Sequence, residues 1–190
     1  MQKQAIERAQ IAYGTAVKEL ADMEAANDFP SIERHWGNFL IQVGRVYGRL
    51  EQGAKSSARS YAWWSKKAHE RRTDPLLCYV WHARNVDEHT LEPAAELNPG
   101  SVKSVEPTEG ELADLQHQLK KEGRPVAVLG LLEVVYAHAT LLDVIDRGKL
   151  YRVPRSHLGA PLEVVSPAIV GQLALAYLAI MMTEARELTE

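Results

Sequence analysis

Cysteine occurs once in this chain, at Cys78. One thiol excludes an intrachain disulfide framework and fits a reducing compartment. The opening residues, MQKQAIERAQ, lack the apolar core of a signal peptide. The longest apolar stretch, Ala168 to Met182, carries Gln172 and makes only about four helical turns, short for a bilayer span. A cytoplasmic protein with no membrane partner is the expectation. No glycine-rich phosphate loop and no Gly-x-Ser-x-Gly elbow is present, so the common nucleotide-cradle and serine-hydrolase signatures are missing. An excess of one charge is also missing: the net is −3, which argues against indiscriminate polyanion binding and leaves any such role to a local patch. No internal repeat is evident, and no cofactor is expected.

What is present suits one folded domain. Apolar residues make up 46% and charged residues 25% of 190 positions, enough to build a core and too apolar for disorder. Residues 3–26 read as an amphipathic helix through Ile6, Tyr13, Val17 and Leu20. Asn27-Asp28-Phe29-Pro30 breaks it. A second helix is expected from near Ser31 to Gln52, burying Ile32, Trp36, Phe39, Leu40, Val43, Tyr47 and Leu50, with Gly53 ending it. Gly37, Gly44 and Gly48 lie inside it at a cost of about 1 kcal/mol each, so close approach of another helix is expected there. A third helix covers 56–72, and a fourth begins at Pro75, well placed for a first turn, and runs to about 90.

The chain then changes character. Pro93, Pro99, Gly100 and Pro107 mark 91–107 as loop, with room for a short strand. Thr108-Glu109-Gly110-Glu111 has the form of a capping box, followed by Leu112, Leu115 and Leu119 and a stop at Gly123. Over 125–153, Val126, Val128, Val134, Val135, Leu141, Val144 and Ile145 favour strands, and Asp146-Arg147-Gly148-Lys149 is a hairpin turn candidate. Ser166-Pro167 gives an N-cap and N1 pair for a last helix, 167–188, apolar on most faces. The expected fold is mainly α: an up-and-down bundle, 1–92 plus 167–188, with a loop and β-rich insertion over about 93–165.

The fourth helix carries the densest chemistry, Arg84-Asn85-Val86-Asp87-Glu88-His89. Arg offers a permanent planar cation for phosphate oxygens, and His titrates near neutral pH. At about 100° per residue, Arg84 and His89 project roughly 140° apart, with Asn85 between them. They converge only if the helix loosens near His89 or two protomers each supply one group. Leu76, Tyr79, Val80, Ala83 and Val86 fill the opposite, core-facing arc. The competing reading is local: a histidine at a helix end and an Arg84–Glu88 pair one turn apart.

The run Cys78-Tyr79-Val80-Trp81-His82-Ala83-Arg84-Asn85-Val86-Asp87-Glu88-His89 resembles the signature of the HEPN superfamily: an Arg, often followed by Asn, then a His a few residues on, late in a four-helix bundle. It is similar to a group of bacterial proteins within or near that superfamily. They share an Ala-Arg-Asn-x-x-Glu-His core, a β-rich insertion, and a tail like His157-Leu158-Gly159 before a Pro-capped last helix. The resemblance implies a metal-independent endoribonuclease in many members, acting as a homodimer. Arg84 would bind or polarise the scissile phosphate, His89 would move protons, and Asn85 would orient one or the other. A two-fold interface would set two motifs side by side, supplying the acid and the base that cleavage through a 2′-hydroxyl uses. One toxin branch of the superfamily has a Tyr two residues after the His; here that position is Leu91, so its regulation is not expected. Many members bind RNA or nucleotides, or only dimerise.

The third helix is locally basic. Lys55, Arg59, Lys66, Lys67, Arg71 and Arg72 are six cations against Glu70, a net of +5 over 54–72, interleaved with Tyr61, Trp63 and Trp64. Cations among aromatics suit single-stranded RNA, and Lys66, Lys67, Arg71 and Arg72 are the RNA-binding candidates. A solvated face with Trp64, Tyr61 and Ala68 packed inward is the alternative. Cys78, His82 and His89 share a stripe, but a full zinc ligand set is lacking and no metal is expected. His138 and His157 have no evident partner. The leading expectation is an RNA- or nucleotide-directed homodimer with its site at Arg84, Asn85 and His89. A catalytically silent binding or dimerisation module comes second, and a small-ligand binder with the β insertion as lid third.

Overall fold

The computed structural model describes residues 1–89, 93–98, 100–105, 108–122, 131–135 and 138–189, the side chains of 88–89, 101–105 and 131–135 excepted. Among these the fold is mainly α. Six helices run α1 Lys3–Ala25, α2 Phe29–Ala54, α3 Ala58–Thr73, α4 Pro75–His89, α5 Glu109–Lys121 and α6 Pro167–Arg186. Short strands β1 Ala95–Asn98, β2 Ser101–Val105, β3 Leu131–Val135, β4 His138–Leu141, β5 Val144–Asp146, β6 Lys149–Tyr151, β7 Ser156–His157 and β8 Ala160–Pro161 precede the last helix. They form four two-stranded pairs, β1–β4, β2–β3, β5–β6 and β7–β8.

Local chemistry sets the helix limits. Asp28 caps α2 by accepting from the Ser31 amide at 2.8 Å, and Pro30 is tolerated in the first turn. The helix therefore starts at Phe29, ahead of the expected Ser31. Ser57 caps α3, the Thr108–Glu111 capping box closes the start of α5, and Ser166 caps α6 with Pro167 behind it. Gly123 as a helix stop, and Val126 and Val128 as strand residues, lie outside the described residues.

Two compact units emerge. One joins residues 1–96 with 139–190; the other is 97–138. In the first, α1 and α2 form an antiparallel hairpin, and α2, α3, α4 and α6 enclose a core of Trp36, Phe39, Leu40, Leu50, Leu76, Tyr79, Leu178 and Met181. Each is almost fully buried, and each such side chain contributes about 1.5–3 kcal/mol. The sequence pattern places all of 93–165 in an insertion. The structure keeps 139–165 with the helices, because β5, β6 and β7 pack on α4. By length and composition α6 is apolar enough to cross a membrane. Its Val170, Ala174, Leu178, Met181 and Ala185 are buried in the bundle, where it meets α1, α2 and α4. The second unit, by itself, holds α5 and the antiparallel β2–β3 ladder, whose register runs from Ser101 opposite Val135 to Val105 opposite Leu131.

The β5–β6 hairpin turns through Arg147 (φ 52°) and Gly148 (φ 78°), with Asp146 paired to Lys149. Two consecutive left-handed residues define the tight turn whose twist suits a two-residue hairpin. Leu158 (φ 49°) and Gly159 (φ 83°) repeat this between β7 and β8.

Candidate functional site

Helix α4 is sorted by its periodicity. Leu76, Tyr79, Val80, Ala83 and Val86 are buried, as their arc requires. Trp81, His82, Arg84 and Asn85 are half-buried on the other side. Asp74 fixes the helix start: its Oδ1 accepts from the Leu77 amide at 2.9 Å and from His157 Nδ1 at 3.0 Å, and its Oδ2 accepts from the Leu158 amide at 2.6 Å. His157, without a partner on sequence grounds, thus ties the β7–β8 turn to the α3–α4 junction.

Two of the three interior glycines of α2 lie against the motif. A Cβ at Gly37 would come within 2.9 Å of Asp87 Oδ2, and one at Gly44 within 2.9 Å of Arg84 Nε; at Gly48 the space is open. The close approach expected at these glycines is made, at Gly37 and Gly44, by the motif's own side chains. Arg84 runs along the Gly44 gap, with its guanidinium carbon 5.8 Å from the Trp81 ring centre.

From there a hydrogen-bonded chain leaves the helix. Arg84 Nη1 donates to Asn85 Oδ1 at 3.2 Å, and Asn85 Nδ2 donates to Asp146 Oδ2 at 2.8 Å. His82 Nδ1 meets the same carboxylate oxygen at 2.7 Å. The Asn85 hydrogen bond, joined by the one from His82, outweighs burial and holds the Asp146 carboxyl below its ordinary value. The carboxylate is therefore ionised and accepts, so Nδ1 of His82 carries the hydrogen. The His82 ring stacks on Tyr151, centres 3.5 Å apart and planes 12° from parallel. Lys149 stands 5.1 Å above the Tyr151 ring, and Arg147 projects into solvent from the turn, 3.9 Å from Asp146.

These side chains line one open pocket of about 540 Å³: Trp81, His82, Arg84, Asn85, Asp146, Arg147, Lys149 and Tyr151. Among the described residues that line it are three cations and one carboxylate. The arrangement suits an anion of phosphate size beside an imidazole with a fixed tautomer.

The structure thus brings Arg84 and Asn85 together. It couples them to His82, which on sequence grounds is no more than a poor zinc ligand. The side chain of His89 lies outside the described residues. His82 and Asn85 are three positions apart on one helical face, a signal that was available; Asp146 lies 61 residues beyond Asn85.

The α3 cations divide. Lys67 is buried, 3.2 Å from Glu70 and 2.9 Å from Glu184, and lies over Tyr177. Arg71 is half-buried with its guanidinium 3.7 Å from the centre of Trp81 and 5.1 Å from that of Tyr47. Lys66 and Arg72 are exposed. Trp64 is buried, Trp63 donates to Glu184 at 2.7 Å, and Tyr61 is exposed rather than packed inward. Burial pushes the Cys78 thiol up. One group of metal-ligand type stands elsewhere among the described residues, Glu19, Asp22 and His35. Its geometry is accounted for by a 2.8 Å His35–Glu19 contact and a Lys18–Asp22 ion pair.

Compared with protein-family models, curated proteins and solved structures, the chain matches none.

Proposed function

We propose that this protein is HEPN-like and recognises RNA or a nucleotide through its phosphate, at the pocket between α4 and the β5–β6 hairpin. The supporting observation is the convergence of Arg84, Arg147 and Lys149 on one pocket that also holds Asn85. Guanidinium and ammonium groups bind phosphate oxygens by charge-assisted hydrogen bonds, and the half-buried Arg84 is screened less than a surface cation. On this reading the protein works as a homodimer and cuts RNA without a metal.

The test is equilibrium binding of a fluorescent single-stranded RNA and of a mononucleotide, by anisotropy at several salt concentrations. Arg84→Ala, Arg147→Ala and Lys149→Ala each weaken binding, and removing one phosphate-binding cation lowers the salt slope by about one unit. Wild-type protein that binds neither probe overturns the reading.

A second reading is a non-catalytic interaction module. The chain from Arg84 through Asn85 to Asp146 favours it, because these bonds also pin the hairpin to α4. That reading predicts dimer formation without RNA or nucleotide affinity.

A further inference from the structure

We propose that His82, oriented by Asp146, is the residue that moves protons in this pocket. The inference rests on the RNA-directed reading above and names the residue that moves the proton in its cleavage. Three observations carry it. Nδ1 of His82 is committed to Asp146 at 2.7 Å, so the remaining nitrogen, Nε2, holds the basic lone pair. Nε2 has no hydrogen-bond partner among the described residues, while the ring is fixed by its stack on Tyr151. The same carboxylate is itself steadied by Asn85, whose amide oxygen receives Arg84. A base, the group that sets its tautomer, and a phosphate-binding cation are therefore one connected unit in one pocket. This division of labour is that of a general base held by a carboxylate.

The substrate class that fits is a ribonucleotide phosphodiester. Its nucleophile is its own 2′-hydroxyl, so neither a metal-bound water nor a protein nucleophile is called for. Nε2 of His82 takes the proton of the 2′-hydroxyl as that oxygen bonds to the adjacent phosphorus. The bond from phosphorus to the 5′-oxygen breaks, and the departing oxygen takes a proton from water. The hydroxide so formed removes the proton from His82. The products are a 2′,3′-cyclic phosphate end and a 5′-hydroxyl end, with no change of oxidation state. Arg84 faces the phosphate. Asp146 is a positioning residue, and among the described residues the other charged groups lining the pocket are Arg147 and Lys149 on the hairpin.

The experiment follows cutting and binding of one single-stranded RNA, in EDTA, by wild type, His82→Gln, Asp146→Asn and His89→Ala, with a 2′-O-methyl copy as control. Wild type is expected to cut the RNA to cyclic-phosphate ends and to bind the methylated copy without cutting it. His82→Gln is expected to lose cutting by about 10²–10⁴-fold while holding RNA within threefold of wild type. Asp146→Asn cuts more slowly, and the acid side of its rate profile moves to lower pH, a change that weakened packing alone does not produce. Should His82→Gln misfold by circular dichroism, the Asp146→Asn profile decides. Wild type that binds RNA but never cuts it overturns this proposal and leaves the binding reading standing. Cutting that survives in His82→Gln, or is abolished only in His89→Ala, overturns the assignment to His82. Protein that binds no RNA overturns both.

Discussion

Asn85 donates a 2.8 Å hydrogen bond to Asp146, joining the motif helix to a hairpin 61 residues away in the chain. This bond is the largest cause holding the Asp146 carboxyl below its ordinary value. A carboxyl depressed in the folded state stabilises the fold above its unfolded value of about 3.9, and the contribution disappears as pH falls through the folded value. Asn85→Ala is expected to move the Asp146 titration upward, toward that ordinary value. It also costs roughly 1 kcal/mol at neutral pH for the missing hydrogen bond. Carbon-detected NMR titration of the Asp146 carboxyl checks the first expectation and urea unfolding the second. An unmoved titration would show that His82 and Arg147 set the carboxylate without Asn85.

The glycines of α2 give a paired test. Gly48 has nothing within 4 Å of an added Cβ, so Gly48→Ala removes a helix penalty and stabilises by about 1 kcal/mol. Gly44→Ala removes the same penalty but sets a methyl 2.9 Å from Arg84 Nε, so the guanidinium must shift. Thermal unfolding is expected to show less gain for Gly44→Ala than for Gly48→Ala. RNA affinity is expected to fall only in the former. Equal affinities would place the Arg84 head group outside the RNA-binding surface.

Asp74 is buried and accepts from three donors: the Leu77 amide, His157 and the Leu158 amide. Asp74→Ala strands an imidazole and two backbone amides and uncaps α4, which together cost about 3 kcal/mol or more. Asp74→Asn keeps one acceptor oxygen and is expected to lose less. Chemical denaturation of the two variants measures the difference. A loss below about 1 kcal/mol in Asp74→Ala would show that water replaces the carboxylate.

These relationships mark how far the sequence alone reaches. Helix limits and turns were legible because their causes are local. Thr108 with Glu111, and Ser166, sit next to the amides they cap, and Arg147-Gly148 supplies the two left-handed residues its turn uses. The mainly α class followed from that. The partner of the motif was not legible. Asn85 lies within one turn of both His82 and His89, so that signal does not choose between them, and only the packing of the β5–β6 hairpin on α4 brings Asp146 to His82. The basic helix was misleading for a related reason. Composition counts cations without saying which have a carboxylate waiting across the core, and Glu184 lies 117 residues from Lys67.

The ion pair of buried Lys67 with half-exposed Glu184 supports the last prediction. Lys67 sits between Glu70 and Glu184 and over the Tyr177 ring, and Tyr177 donates to Glu70 at 2.6 Å. Burial pushes the Glu184 carboxyl up, but hydrogen bonds from Trp63 and Lys67 outweigh it and hold the group below its ordinary value. An ammonium so engaged is not available to a phosphate. Lys67→Met leaves two carboxylates without their common cation and is expected to destabilise by about 3 kcal/mol, with RNA affinity and its salt slope unchanged once folding is accounted for. Exposed Lys66 and Arg72 behave in the opposite way: substitution by Ala leaves stability within about 0.5 kcal/mol and lowers the salt slope if the strand passes over α3. Unfolding curves and anisotropy at three salt concentrations, run on the same three variants, separate the cation that holds the helix from those that face a ligand. A slope reduced in Lys67→Met but not in the other two would reverse these assignments.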